Sequence, residues 1–206
     1  CRITTSSLYG SSRSKNIIQA QEPDNLRLMT LGFLGHPIFI AHASDSTLTV
    51  SLLTENRHFR GPADPDNLVK LFGIPLSVHE IMNLLQGKIS LNMRDARCFQ
   101  EGSLYRCDLD TDCGASVLWI DPDRAVIRRF SGKLFCSKSY DISFDRFSSV
   151  AGRPVPFRIA ITCPSDRFSV AIEYTSFSTE AIDRHSFSYT PPSSDVLPLD
   201  MMPRLW

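Results

Sequence analysis

The chain has 206 residues, of which 42% are apolar and 21% charged, and this is the composition of a folded protein and not of a disordered segment. Basic and acidic residues balance at 22 each, which argues against a nucleic-acid binder because such proteins carry an excess or a stripe of basic charge. No apolar run approaches the ~18–20 residues that a membrane-spanning helix needs.

The first quarter of the chain is predicted to consist of short strands separated by turns. The predicted strands are residues 2–5, 17–21, 26–33, 37–43 and 48–52. In the last of them the apolar side chains alternate with a period of two. Leu48, Val50 and Leu52 are therefore expected to share one face of a sheet.

The predicted hairpin tip between the third and fourth strands is unusually apolar. Hairpin tips normally face water and are polar. Here Phe33 and Leu34 stand between Gly32 and Gly35, which are suited to a tight turn. Either the two apolar side chains are buried under a neighbouring loop, or they form an exposed apolar contact surface.

Two short helices are predicted after these strands. The first, at residues 68–73, is preceded by acidic residues and ends at Gly73. The second begins after Ser77, an N-cap whose partner in a capping box is Glu80, and ends at Gly87. Its apolar stripe consists of Ile81, Leu84 and Leu85.

Strands dominate the rest of the chain. They are predicted at residues 103–109, 115–120, 125–130, 140–147, 157–163 and 168–174. Strands repeating every ~8–12 residues indicate an antiparallel meander. Two helices inserted between groups of strands predict an α+β fold, in which a curved antiparallel sheet has the helices on its concave face.

The composition changes after Tyr189, where a Pro- and Ser-rich segment begins. We expect residues 1–190 to form a single domain and residues 191–206 to form an extended C-terminal tail. Leu197, Leu199 and Trp206 are the side chains expected to dock this tail.

Local signatures of catalysis and of metal binding are absent from the sequence. There is no H-E-x-x-H, G-x-S-x-G or Gly-rich phosphate loop. Aspartates alternate at residues 108–112 as in a calcium loop, but Cys113 and Trp119 stand where that loop needs glycine and glutamate. We therefore expect a protein without enzymatic activity, metal or cofactor.

The six cysteines include no C-x-x-C pair. Cys107 and Cys113 bracket an acidic turn and are candidates for a disulfide in an oxidising compartment. The alternative is that most of the cysteines are small buried apolar residues.

Several segments occur in the order found in a known family. They are PDNLRL at residues 23–28, GFLG at 32–35, the strand at 48–52, LFGIPLS at 71–77, LLQG at 84–87, PVPFRI at 154–159, the strand pair that ends at 174, and residues 187–192. Together they cover nearly the whole chain. They resemble the LolA/LolB-like superfamily of bacterial periplasmic lipoprotein-handling proteins, and within it the uncharacterised outer-membrane lipoproteins of LolB-like type.

The resemblance implies a half-open antiparallel β-barrel in which short helices form a lid over an apolar cavity for acyl chains. The strand residues expected to line this cavity are Leu28, Phe39, Leu48, Val50 and Leu52, and those expected from the lid are Ile81, Leu84 and Leu85. The alternative for each of them is ordinary core packing.

The resemblance also implies a role for the apolar tip. A LolB-type protein receives lipoproteins from a LolA-type carrier and places them in the inner leaflet of the outer membrane. Its hallmark is an apolar residue in a Gly-Pro-Leu-Gly-like segment on a protruding hairpin. The matching residue here is Leu34, and Phe33 replaces the proline. Phe33 and Leu34 are thus expected to insert into the membrane.

The N-terminal segment departs from the family, whose members usually have a linker and a helix before the first strand. Here residues 2–5 already resemble the first strand. Cys1 therefore has two interpretations: it is the acylated first residue of a lipoprotein, or an internal residue of a longer chain.

Two functions from different classes remain open at this level. The first is a non-enzymatic protein of the periplasm or outer membrane, lipid-anchored or soluble, which binds acyl chains or lipoproteins and helps to deliver them. The second is a periplasmic scaffold or adaptor of an envelope complex, with the same fold and without a lipid ligand.

Overall fold

The computed structural model describes residues 1–44, 46–134, 136, 138–183, 187 and 196–202, and its chain divides into two compact units. The first unit comprises Cys1–Arg2, Arg13–Met82 and the described part of Glu180–Trp206. The second comprises Ile3–Ser12 and the described part of Asn83–Thr179. Two boundaries fall within strands, after Arg2 and after Ser12, and one falls within a helix, after Met82, so these elements contribute residues to both units.

Strands make up most of the described structure. In chain order they are β1 (Arg2–Ser7), β2 (Gly10–Gln21), β3 (Asn25–Leu31), β4 (Pro37–Ser44), β5 (Thr47–Leu52), β6 (Arg57–Pro62), β7 (Met93–Glu101), β8 (Leu104–Thr111), β9 (Gly114–Asp121), β10 (Val126–Leu134), β11 (Lys138–Val150), β12 (Arg153–Cys163), β13 (Phe168–Glu173) and β14 (Val196–Pro198). The two α-helices of the described part are α1 (Pro65–Phe72) and α2 (Val78–Leu85).

The sheet of the first unit has the strand order β14-β6-β5-β4-β3-β2. Neighbours from β2 to β6 are antiparallel, as the short turns between them require, and β14 pairs with β6 in parallel. One row of directly opposed residues runs across four of these strands. It consists of Leu28, Ala41, Val50 and Phe59. All four are buried, so this face of the sheet is part of the core.

Helix α1 is held by caps at both ends. Asp64 accepts a hydrogen bond from the backbone N–H of Asn67 at 2.8 Å, and Gly73 ends the helix in the left-handed conformation. Lys70 donates from Nζ to the backbone oxygen of Leu199 at 3.2 Å. This contact attaches α1 to the C-terminal segment of the first unit.

The C-terminal segment packs against strand β6. A Cβ atom at Gly61 would lie only 2.8 Å from the Cβ of Leu199, so the close approach depends on glycine at residue 61. Leu199 is buried and Leu197 is half-buried, which confirms that this part of the tail is docked. Trp206 lies outside the described residues.

Helix α2 has the predicted capping box. The backbone N–H of Ser77 donates to the Glu80 carboxylate at 2.9 Å, and the backbone N–H of Glu80 donates to Ser77 Oγ at 3.3 Å. At the other end the Tyr174 hydroxyl donates to the backbone oxygen of Leu85 at 3.0 Å, and burial raises the pKa of Tyr174. Gly87 follows with a φ of 79° and ends the helical segment, as predicted.

The sheet of the second unit has the strand order β1-β13-β12-β11-β10-β9-β8-β7, and the neighbours from β7 to β13 are antiparallel. One row of directly opposed residues crosses six strands and consists of Cys107, Leu118, Phe130, Ile142, Ile161 and Val170. All six are buried, so this row forms the core face of the unit.

The opposite face of this sheet carries alternating aromatic and arginine side chains. Phe99, Arg106, Trp119 and Arg129 are directly opposed in register across β7, β8, β9 and β10. The guanidinium of Arg106 lies 5.5 Å from the ring centroid of Phe99 and 5.8 Å from that of Trp119. Arg129 lies 4.9 Å from the Trp119 ring. These cation–π contacts order the exposed face.

Two disulfides join described residues, Cys98 to Cys107 and Cys113 to Cys136. The predicted candidate pair of Cys107 with Cys113 is therefore wrong. Cys107 lies within β8 and Cys113 in the turn after it, so extended chain separates their Cα atoms by more than the ~7 Å that a disulfide can bridge. Cys107 instead bonds to the residue directly opposite it on β7.

The predicted α+β architecture, mainly antiparallel with two helices, is confirmed for the described residues. Neither unit's strand order returns to its first strand, so neither sheet closes on itself. Strands β6 and β7 were not predicted. β6 ends in Gly-Pro, and β7 is exposed along its whole length and has no apolar alternation. The helical lid and the cavity stay predictions.

Candidate functional site

The apolar tip lies on the hairpin of β3 and β4 in the first unit. The backbone N–H of Gly35 donates to the oxygen of Gly32 at 3.0 Å, and the N–H of Gly32 donates to the oxygen of His36 at 2.9 Å. Gly35 has a φ of 81°. This is the three-residue hairpin loop in which a turn is followed by a left-handed glycine, and it places Phe33 and Leu34 at the extremity.

Both apolar side chains of the tip are exposed. Phe33 has a relative exposure of 104% and Leu34 of 80%, so neither is covered by a neighbouring loop. The interpretation of the tip as a buried corner is therefore wrong. An isolated exposed leucine needs no explanation, but two adjacent large apolar residues at a hairpin extremity form a small apolar patch.

The tip is continuous with an apolar neighbour on β4. A Cβ atom at Gly32 would lie 2.8 Å from Cγ2 of Ile38, so the absence of a side chain at Gly32 allows Ile38 to pack beside the turn. Ile38 is itself partly exposed. The patch thus extends from the turn onto the first residues of β4.

The outer part of this hairpin, from Leu28 to Ser44, lacks formally charged side chains, and Arg27 lies near the base of β3. No Asp, Glu, Lys or Arg occurs between Arg27 and Asp45, and the titratable residues in this stretch are His36 and His42. Moving a charged group into an apolar medium is costly, whereas the uncharged tip of this hairpin incurs little of this cost. The tip is therefore suited to contact an apolar phase.

The strand residues predicted to line a cavity lie on one face of the first unit's sheet. Leu28 lies directly opposite Ala41, which in turn lies directly opposite Val50. Phe39 lies directly opposite Leu52. Leu48 lies two residues from Val50 along β5 and so faces the same side. The register thus brings together all five strand residues.

Burial on this face is nearly complete. Val50 and Phe59 have relative exposures of 0%, and Phe39 is half-buried. No water-sized space touches Val50 or Phe59. An acyl chain could therefore enter at this part of the face only if the side chains moved apart.

The three residues predicted for the lid are buried on α2. Ile81 belongs to the first unit, and Leu84 and Leu85 belong to the second. Their helical spacing gives α2 its apolar stripe, as predicted. Cys1 lies at the start of the first unit, where its backbone N and O atoms pair with Asn16 at 2.8 Å.

A further apolar tip was not predicted. Leu8 and Tyr9 form the turn between β1 and β2 in the second unit, with exposures of 63% and 94%. Gly10 directly after them, at a φ of 137°, is the turn signal that could have identified it. Phe59, at the centre of the apolar face, was also missed because β6 was not recognised.

Polar chemistry in the described residues is limited. His58 Nδ1 lies 2.9 Å from Ser51 Oγ, but Ser51 is completely buried, so no substrate reaches this hydroxyl in the structure. Across the described ranges no group of three or more His, Cys, Asp or Glu side chains is placed to hold a metal ion. No helix among the described residues is both long and apolar enough to span a membrane.

Comparison with known proteins finds similar structures and no match by sequence. No protein-family model matches the chain, and no curated protein is found as a relative. Solved structures do match, and three of them cover 91% of this chain at 10% sequence identity.

One similar structure is a LolA superfamily protein from Nitrosomonas europaea, with a TM-score of 0.59 and 87% of its chain covered. A second is a domain from Vibrio parahaemolyticus named for outer membrane lipoprotein sorting, with a TM-score of 0.58 and 86% covered. A third is a DUF1329 family protein from Desulfovibrio piger, with a TM-score of 0.53 and 89% covered. This chain therefore has the fold of LolA superfamily proteins.

Proposed function

We propose that this protein is a member of the LolA/LolB-like superfamily that binds acyl chains or lipoproteins and contacts lipid through the β3–β4 tip. The observation that carries the proposal is the exposure of Phe33 and Leu34 at a hairpin tip whose surrounding residues, from Leu28 to Ser44, carry no formal charge. The fold shared with a LolA superfamily protein and with a domain named for lipoprotein sorting supports it. The expected setting is the periplasmic face of the bacterial outer membrane, and no enzymatic step is required.

The size of the tip suits a transient contact. Burying a phenylalanine or leucine side chain releases about 1.5–3 kcal/mol relative to leaving it in water. Two such side chains give roughly 3–6 kcal/mol before the entropy lost on binding is subtracted, a weak and reversible membrane association. A protein that delivers cargo and then leaves needs an association of this strength.

The cargo site of this proposal is the apolar face built by Leu28, Leu48 and Val50 on the sheet of the first unit. Each methylene group moved from water into an apolar site contributes about 0.8 kcal/mol. The free energy gained by burying an acyl chain of about a dozen carbons would thus offset the cost of separating the packed side chains. A LolA-type carrier is the expected donor of such cargo.

The tip is tested by replacing Leu34 with glutamate and measuring sedimentation with vesicles of phosphatidylethanolamine and phosphatidylglycerol. A carboxylate at the extremity loses the apolar gain and adds a desolvation cost, so vesicle binding is expected to fall at least about tenfold. The matched control is Leu8→Glu, the same change at the exposed turn of the second unit. Unchanged binding of Leu34→Glu, or an equal loss with Leu8→Glu, would refute a specific role for this tip.

Complete burial at Val50 and Phe59 favours the alternative function, a scaffold or adaptor with the same fold and no lipid ligand. The two functions differ in what the purified protein carries. If the protein is a lipid carrier, solvent extraction followed by lipid mass spectrometry is expected to recover about one acyl species per protein molecule. Extracts without acyl species, together with unchanged vesicle binding of the Leu34→Glu variant, would favour the scaffold.

A further inference from the structure

Strand β7 (Met93–Glu101) is the last strand in the order of the second unit's sheet, and among the described strands it is paired only with β8. All nine of its residues are exposed. An edge strand of this length presents backbone N–H and C=O groups on which another strand can pair. The question is which strand would fit.

The pairing of β7 with β8 shows which backbone groups point outward. Cys98 is directly opposed to Cys107, and their Cα atoms are 4.0 Å apart. This is the short spacing of a pair that exchanges no backbone hydrogen bonds, so the N–H and C=O of Cys98 point away from β8. By alternation the same holds for Ala96 and Gln100. The Ala96 N–H indeed donates to the Asp95 carboxylate at 2.8 Å and not to β8.

We propose that β7 pairs antiparallel with β7 of a second copy of this chain, on a two-fold axis through Phe99. In this register Cys98 exchanges two backbone hydrogen bonds with the partner's Gln100, and the symmetric pair adds two more. Phe99 faces the partner's Phe99 on the axis. Arg97 faces the partner's Glu101, and the two-fold axis repeats that ion pair.

Charge complementarity favours this register over those with the two-fold axis at Arg97, Cys98 or Gln100. A two-fold axis at Arg97 opposes Arg97 to the partner's Arg97, and an axis at Cys98 opposes Asp95 to the partner's Glu101. Both arrangements place like charges directly opposite each other, which destabilises a strand pair. An axis at Gln100 opposes no charged pair at all. Of these registers, the one at Phe99 alone faces opposite charges with each other.

The side chains concerned are accessible in the single chain. The side chains of Arg97 and Glu101 are 86% and 53% exposed, and their ion pairs with Asp95 and Arg106 are long, at 3.8 and 3.9 Å. Phe99 is partly exposed and its ring is already ordered by Arg106. The dimer would continue the exposed aromatic and arginine row of one sheet into that of its partner.

The experiment is sedimentation of the full chain over a range of concentrations, without lipid and without reductant. The unaltered protein is expected to associate reversibly to a dimer. Arg97→Glu and Glu101→Arg are each expected to weaken the association at least about tenfold, because each replaces two attractive pairs by two repulsive ones. An equimolar mixture of the two variants is expected to restore it, since one variant is acidic and the other basic at both positions.

The control is Arg124→Glu, a charge reversal of the same kind in the turn between β9 and β10. It is expected to leave the association unchanged. Amide exchange at Cys98 and Gln100 is expected to slow as the concentration of the unaltered protein rises. A monomer at every concentration, or a dimer that resists both single reversals, would overturn the proposal. The outcome is independent of lipid binding, so it does not depend on the proposed function.

Discussion

Replacing Phe59 with alanine is expected to lower the free energy of unfolding by about 3–5 kcal/mol, the usual cost of removing a fully buried aromatic ring. Phe59 has no exposed surface and is directly opposed to Val50, within the row that continues to Ala41 and Leu28. Hydrogen-bonded strands on both sides of this row limit how far the site can collapse. The measurement is urea denaturation followed by circular dichroism.

The matched control is Phe33→Ala, the same substitution on the same unit at a fully exposed residue. It is expected to change the free energy of unfolding by less than about 0.5 kcal/mol. A large effect at Phe33 would mean that the tip packs on the protein, and the lipid-contact proposal would lose its main support. A cost below about 1 kcal/mol at Phe59 would show that the face is loosely packed and open to a ligand.

The elements whose signals are local could be predicted from the sequence. Glu80 lies three residues after Ser77, and this spacing alone indicates the capping box that the structure forms. Gly73 and Gly87 likewise end their helical segments in the left-handed conformation. Such motifs are decided by a few adjacent residues, so tertiary contacts had little opportunity to override them.

Strand β7 could not be predicted because its stability comes from a neighbour and not from its own pattern. Arg94, Asp95 and Arg97 lie among its nine exposed residues, and no apolar alternation indicates a strand. What holds it is the ladder with β8 and the bond from Cys98 to Cys107. The pairing of cysteines is a property of the fold, so it could not be read from their spacing.

The candidate site likewise has one part that could be predicted from the sequence and one part that could not. The place of the tip was predictable because a glycine on each side of Phe33-Leu34 indicates a turn, whereas the exposure of the two side chains was one of two alternatives that the structure decides. The cavity was less accessible to prediction. Residues such as Val50 alternate in the same way whether they pack against protein or against an acyl chain, so their pattern specifies a buried face and leaves its occupant open.

Replacing Gly87 with alanine is expected to destabilise the protein by roughly 2–4 kcal/mol. Its φ of 79° lies in the left-handed region, where a side chain is strained. A Cβ atom there would also lie 2.9 Å from Cδ and 3.0 Å from Cγ of Pro156, a buried residue on β12. The second unit would have to displace β12 or the end of α2 to admit a single methyl group.

Gly102→Ala separates the two causes. Gly102 also has a left-handed φ, of 64°, but a Cβ atom there would meet nothing within 4 Å. Its substitution is therefore expected to cost only the backbone strain of about 1–2 kcal/mol. The excess at Gly87, measured by denaturation of both variants, reports the contact with Pro156. Equal costs would mean that this contact relaxes freely and that the segment after α2 is not closely packed on β12.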